Sequence, residues 1–366
     1  MIEDVILTTE NCRYCLMCRH VCPVGRVTAK ESLTPHGWGL IIASEKRGLV
    51  DWNDSTIEAL YSCADCGTCR AHCVTDQPLP SAIAAARAEV ARQDLAPAAA
   101  REIHAKLQTW SNPYQEQAPQ ASAGQAEVAL FVGDDANFLA PETVTAVLRL
   151  LKALDIEPEL IGVGRNNGYL ASSLGFPETA ADLAQTTLGE LARSGASQML
   201  VLTPGDFYAF GQMIDERLGV AWPAEVELKE VTVLLAEALA DGKLSFDRVQ
   251  DHEPYAYVDP THSVRVTTRY DAPRALLAAL VGRPPKELYW RRERAHPAGN
   301  TALQYTQPHI AHHLVYSRLA DAQDTGAQVL ITEDPGTLVH LKRHAHRFGL
   351  RLQGLYPLLA DHLAGG

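Results

Sequence analysis

The cysteines of this sequence fall into two runs, Cys12-x2-Cys15-x2-Cys18-x3-Cys22-Pro23 and Cys63-x2-Cys66-x2-Cys69-x3-Cys73, and none lies beyond residue 73. Three thiolates on one tight loop can cap three irons of a cube, and a distant fourth closes it. In the bacterial two-cluster pattern the fourth cysteine of each run serves the other cluster. The spacing therefore predicts two [4Fe–4S] clusters, one held by Cys12, Cys15, Cys18 and Cys73, the other by Cys63, Cys66, Cys69 and Cys22. Pro23 follows the crossing ligand and breaks the local helix there. Arg13, Tyr14, Met17, Arg19 and His20 interleave with the ligands. They either tune cluster potential through hydrogen bonds and charge or pack around the cubes.

Two other uses of cysteine fit less well. Disulfides belong to oxidising compartments. The opening residues, Met-Ile-Glu-Asp-Val-Ile, have neither the basic start nor the apolar stretch of a secretory signal, so a cytoplasmic location is expected. Structural zinc takes four ligands as two pairs, not two triplets each followed by a fourth. With 32 Lys and Arg against 44 Asp and Glu, the formal charge of −12 disfavours nucleic acid and anionic lipid as general partners. The longest apolar runs, Leu276 to Val281 and Val231 to Leu239, fall far short of the ~20 residues that span a bilayer. Membrane association would have to come through a partner.

The elements that must position the cysteines are legible around them. A helix over Ser55 to Tyr61 feeds the second run, and an Ala-rich helix over Pro80 to Gln93 leaves it, as in a mainly helical two-cluster ferredoxin domain over residues 1–100. Residues 101–125 read as a helix end followed by a polar linker, Ser111 to Gln125. Beyond it apolar strands alternate with amphipathic helices: Val128 to Val132, Pro141 to Leu154, Gln198 to Leu202, Tyr208 to Leu218. This alternation predicts α/β architecture with parallel sheet. The region also repeats itself: Val226 to Gly242 aligns without gaps on Leu350 to Gly366, and Gly195-Ala196 before one strand matches Gly326-Ala327 before another. The fold class expected is an α/β multidomain chain, with two related halves at 126–245 and 254–366.

Over nearly its whole length the chain resembles the iron–sulfur subunits of the glycolate oxidase, lactate-utilisation, anaerobic glycerol-3-phosphate dehydrogenase and heterodisulfide reductase D group. In that family each C-terminal half carries a Cys-Cys-Gly motif between a lone upstream Cys and a downstream Cys-x2-Cys. Asp134, after Ala129-Leu130-Phe131-Val132-Gly133, stands where the first lone cysteine is expected. Ser173-Leu174-Gly175-Phe176-Pro177 resembles Cys-Cys-Gly-Phe-Pro, and the next pair of cysteine positions falls at Gly205 and Tyr208. In the second half Val258-Asp259-Pro260-Thr261-His262 resembles Asp-Pro-Cys-His. Pro297-Ala298-Gly299 resembles Cys-Cys-Gly, and Thr332 to Thr337 resembles a Cys-Pro-x-Cys turn. Every one of these cysteines is replaced. Oxygen donors such as Asp134, Thr261 and Asp334 suit an iron–sulfur cube poorly, so a cluster-free C-terminal region acting as a docking platform is expected.

The resemblance implies an electron-transfer subunit of a multi-subunit flavin-dependent dehydrogenase, with FAD or FMN on a partner flavoprotein. Electrons would leave to a quinone, an electron-transferring flavoprotein or another carrier, and a hetero-oligomer is expected. The alternative is a disulfide-reducing subunit of heterodisulfide reductase type, which would need the missing Cys-Cys-Gly ligands. Fourteen histidines include helically spaced pairs, His309 with His313 and His340 with His344, which fit either a metal or a solvated basic face shared with Lys342, Arg343 and Arg347. Gly162-Val163-Gly164 lacks the remaining glycine and acidic residue of a dinucleotide fingerprint.

Overall fold

The structure is a computed structural model, and it describes residues 11–119, 124–250 and 252–364. The opening hexapeptide, residues 120–123 of the expected linker and the last two residues of the repeat lie outside the described residues. No described helix is long and apolar enough to cross a membrane.

The cysteine-bearing part is helical. Asn53 starts the helix Asp54–Tyr61 with a capping box: its side chain accepts from the Ser55 and Thr56 amides while Thr56 Oγ1 accepts from the Asn53 amide. The helix Leu79–Arg92 is built largely of alanine, and ten of its residues are buried, so neighbouring backbones can come close. At Gly175, φ is 95° and a Cβ would lie 2.6 Å from the Arg87 carbonyl; only glycine fits. The segment after the next helix, Ala98–Trp110, begins by packing: Asn112 is fully buried and its amide donates to the Trp110, Glu116 and Gly164 carbonyls.

Each half of the remainder is a four-stranded parallel sheet. The first comprises β1 (Val128–Val132), β2 (Glu159–Val163), β3 (Gln198–Val201) and β4 (Glu227–Glu230), in the order β2-β1-β3-β4. The second comprises β5 (Tyr255–Tyr257), β6 (Lys286–Glu287), β7 (Val329–Thr332) and β8 (Arg351–Gly354), in the corresponding order β6-β5-β7-β8. The gap-free repeat alignment sets β4 on β8 and the helix start Val231 on Leu355. Tyr208 to Leu218, expected as one helix, continues a helix from Pro204 through a π-helical turn at Ala209–Met213.

The halves join by swapped helix pairs. Pro141–Lys152 of the first packs on Leu355–Asp361 of the second, and Val231–Ala240 of the first packs on Ala272–Val281 of the second. One apolar core therefore runs through both, including Leu130, Leu150 and Leu235 with Leu276, Ile331 and Leu359. Burial of such side chains contributes roughly 1.5–3 kcal/mol each. At the same junction Arg269, fully buried, pairs with Glu230 and Glu333, and Tyr257 OH donates to Glu333. A second core ties Leu60, Ile83 and Leu107 of the cysteine-bearing part to Leu174 of the first half and Leu303 and Leu314 of the second.

Candidate functional site

The two cysteine loops are built alike. Residues at the same place in each loop have left-handed backbone: Tyr14 (φ 54°) and Leu16 (φ 61°) in the first, Asp65 (φ 48°) and Gly67 (φ 87°) in the second. Turns of this kind swing successive N–H groups inward into a concavity that favours negative charge, a feature of iron–sulfur sites. The amides follow: Tyr14 N donates to Cys12 Sγ at 3.4 Å, Asp65 N to Cys63 Sγ at 3.3 Å, Gly25 N to Cys22 Sγ at 3.4 Å and Gln77 N to Cys73 Sγ at 3.4 Å. A helix ends at Val21 and another begins at Pro23, which leaves Cys22 in extended backbone between them.

The thiols gather in two groups. Burial, then Cys12, Cys73 and Cys15, push the Cys18 thiol up to about 11. Burial, then Cys66, Cys63 and Cys22, raise Cys69 well above its ordinary value. Cys22, raised by burial, feels Cys66 and Cys63. Burial pushes Cys63 up to about 12 despite Arg87. At Cys73 burial is outweighed by the Gln77 amide and the Thr75 hydroxyl, which lower it. Burial keeps the raised thiols protonated without metal, and since the thiolate is the ligand, metal binding must displace those protons. Among the described residues no three Cys, His, Asp or Glu side chains converge on a single metal ion. A cube needs no such convergence, because each thiolate takes its own iron. The donor set, its spacing and its inward amides fit two cubes.

The groups differ in surroundings. In the first, Cys15 is exposed, and exposed Tyr14, Met17 and Val74 lie along the same two runs. In the second, Cys22, Cys63 and Cys66 are buried, and distant segments grip the loop. Arg87 Nη2 donates to the Cys63 carbonyl at 2.8 Å. Arg265 donates to the Cys66 carbonyl at 3.3 Å and the Asp65 carbonyl at 2.6 Å, and Tyr169 OH reaches the same Asp65 carbonyl at 2.9 Å. Arg217 makes a two-pronged pair with the Asp65 carboxylate, both contacts 2.8 Å. Burial alone would raise that carboxyl, but Arg217 and Arg265 hold it far below the usual range. Thr68 donates to the Ala295 carbonyl, and His296 meets the Val21 carbonyl at 3.1 Å. None of Arg217, Arg265, Tyr169 or His296 belongs to a local pattern around the cysteines, and sequence reasoning missed them in this role.

Of the replaced cysteine positions, Asp134, Gly205, Thr261 and Asp334 line one cavity between the halves. Tyr208 stands behind it, stacked on His262 at 5.6 Å. Ser173, Leu174 and Gly175 turn away: the Ser173 and Leu174 carbonyls accept from Arg87 and Tyr61. Of the histidines, His340 is buried and lowered to about 4, chiefly by burial, so its helix is not simply a solvated basic face. His344 sits 5.2 Å from His312. Gly162 and Gly164 have positive φ and follow the needs of packing against Phe131 and Phe138.

Residues 8–77 match the family model of the 4Fe-4S dicluster domain. Over 276 residues the chain is 25% identical to a probable membrane-anchored ferredoxin of Chromohalobacter salexigens, a match covering 70% of this chain and 39% of that relative. The chain thus spans well under two thirds of the relative's length. A crystal structure of a hypothetical protein from Helicobacter pylori superposes with a TM-score of 0.62 at 10% identity, over 90% of this chain and 68% of the other, which is a likeness of fold. The chain is an iron–sulfur protein whose cysteine-bearing part matches a 4Fe-4S dicluster domain.

Proposed function

We propose that this chain is the electron-transfer subunit of a multi-subunit flavin-dependent dehydrogenase, taking single electrons from a partner's flavin and delivering them to a quinone, an electron-transferring flavoprotein or another carrier. When bound, two [4Fe–4S] clusters supply one-electron carriers at different depths. Cys12, Cys15, Cys18 and Cys73 hold the outer one, and Cys63, Cys66, Cys69 and Cys22 the inner. The observation that carries this reading is the gathering of the thiols into a more exposed and a more buried set, with Cys73 acting on Cys18 and Cys22 feeling Cys66 and Cys63.

The outer group is the one a partner can approach. Around the inner group Arg87, Arg217 and Arg265 fix the loop, exclude water and place positive charge near the thiolates, which favours the more negative, reduced state. The α/β halves supply Arg217 and Arg265 and a rigid platform for the partner subunits. The chain meets a membrane through such a partner, on the cytoplasmic side. Native co-purification with mass spectrometry of the subunits tests this: a flavoprotein in the complex agrees, and a chain that purifies alone while turning over a disulfide substrate overturns it. Iron analysis is the second measure. About eight irons per chain fit two cubes, and about twelve would place a further cluster in the C-terminal region.

A further inference from the structure

The outer thiols open onto a surface whose charge is opposite to that of the chain as a whole. Residues 11–30 carry four Arg or Lys and no Asp or Glu, in a chain whose formal charge is −12. Arg13, Arg19, Arg26 and Lys30 are all exposed. Arg19 pairs with Glu31 at 2.6 Å, whereas Arg13, Arg26 and Lys30 make no ion pair among the described residues. Arg19, His20, Arg26 and Lys30, with Glu31, line an open groove of about 340 Å³. Arg26 is held over the Trp290 ring, 4.6 Å from its centre. Guanidiniums already ordered by a carboxylate and a ring lose little further freedom when a partner's carboxylates arrive.

Beside the groove the surface is apolar. Tyr14 is 59% exposed, Met17 44% and Val74 72%, and each adjoins an outer cysteine in the chain, Cys15, Cys18 and Cys73 respectively. Leu40, 43% exposed, lines the pocket that Cys12, Cys18 and Cys73 share. The two regions are joined side chain to side chain. Tyr14 meets His36 edge-on with ring centres 5.5 Å apart, and His36 and Arg19 both reach the Glu31 carboxylate. Apolar side chains left in water around a redox centre and flanked by charge of one sign make a face for a complementary protein surface.

What covers this face must be anionic and compact. Charges act over about 8 Å at physiological salt, so a small protein feels the basic groove and little of the acidic remainder. A membrane is flat and wide, and would bring the acidic remainder under the same anionic headgroups.

We propose that this face docks a small acidic electron-carrier protein, whose carboxylates enter the groove of Arg19, Arg26 and Lys30 while the apolar centre around its redox group covers Tyr14, Met17 and Val74. One electron leaves the reduced outer cluster and reduces the carrier by one. The docking rests on the electron-transfer role proposed above and names the chemistry of the carrier.

Stopped-flow oxidation of the full, cluster-loaded, reduced chain by cobalt(III)–EDTA, a monoanion that takes one electron to become cobalt(II), tests the charge of the approach. The second-order rate should fall about threefold between about 20 and 300 mM NaCl, whereas control by the net charge of −12 would make it rise. Arg26→Glu with Lys30→Glu should slow it about fivefold at the lower salt, and Lys243→Glu, in the first half, should leave it unchanged. Calorimetry then reads binding of two acidic one-electron carriers, a flavodoxin and a plant-type ferredoxin, and of phosphatidylglycerol vesicles. At least one carrier should bind, about tenfold more weakly to the double variant, and the vesicles should not. Unaltered iron content and visible spectrum show that each variant is folded. A rate that rises with salt, a double variant that reacts and binds like the parent, no binding by either carrier, or binding to the vesicles alone overturns the proposal. A native complex without a flavoprotein would instead sink the dehydrogenase assignment and leave these rates as they are.

Discussion

Cys22 and Cys73 are the residues on which the proposed wiring turns, because each sits in one run and faces the other. Paired substitutions distinguish crossed from uncrossed ligation. Cys15→Ser with Cys73→Ser strikes one cluster under the crossed arrangement and should leave about four irons per chain, whereas Cys15→Ser with Cys22→Ser strikes both and should leave almost none. Uncrossed ligation would give the reverse. At the cavity, Asp334 gives a pH signature. Its carboxyl is raised to about 7 from an ordinary value near 4. Its stabilising contribution is therefore full below the unfolded value and is lost as pH rises through about 7. The side-chain amide of Asp334→Asn could not ionise and would still cap the helix Pro335–Ala345. This variant should thus gain in Tm over the parent as pH goes from about 5 to 8, and calorimetric melts at both pH values would show it; an equal offset at both ends would contradict the assignment.

Among the elements, the two Cys-Cys-Gly-like turns keep their glycines after losing their cysteines, and packing explains why. Gly175 presses its Cα against the Arg87 backbone, and Gly299, with φ 90°, presses against the Ala311 carbonyl at 2.7 Å from any Cβ. Gly175→Ala would have to displace one helix from another and adopt left-handed backbone, at a cost of about 3 kcal/mol in denaturant unfolding. A cost within ~0.5 kcal/mol would mean the contact is not tight. Arg87, on the facing helix, works in the same contact. Its guanidinium bonds the carbonyls of Leu60, Cys63 and Ser173, so one side chain joins a helix, a cluster loop and the first half. The swapped helix pairs between the halves follow from the repeated pattern: each outer apolar face has its counterpart at the same place in the other repeat.

For the whole molecule, the buried charge network at the junction matters most. Arg269 is the cation between Glu230 and Glu333, and burial already lifts Glu230 to about 7. Arg269→Met would leave two carboxylates facing each other without compensation and should cost about 3–5 kcal/mol in urea melts. Adding Glu230→Gln and Glu333→Gln should recover much of that loss, and a triple variant as unstable as the single one would deny the network its role. Since the cysteine-bearing helices share a core with both halves, loosening the junction should also reach the inner thiols. Loss of the inner cluster's signal before the outer one during mild denaturation is the corresponding spectroscopic sign.

The dicluster character, the parallel α/β class and the pairing of repeats are all legible in the order of residues along the chain. Cysteine spacing dictates a loop's reach, and periodic apolar residues dictate which elements form; both act over a few residues and leave their mark in order along the chain. Packing in three dimensions buries the second cysteine loop under Arg217, Arg265 and Tyr169, roughly 100–200 positions away, and leaves Cys15 of the first exposed. It also decided that aspartates scattered from residue 134 to residue 334 face one cavity. Such convergence comes from packing two halves by their helices, and no residue type announces it, because an aspartate after a strand looks the same whether it meets water or three of its own kind.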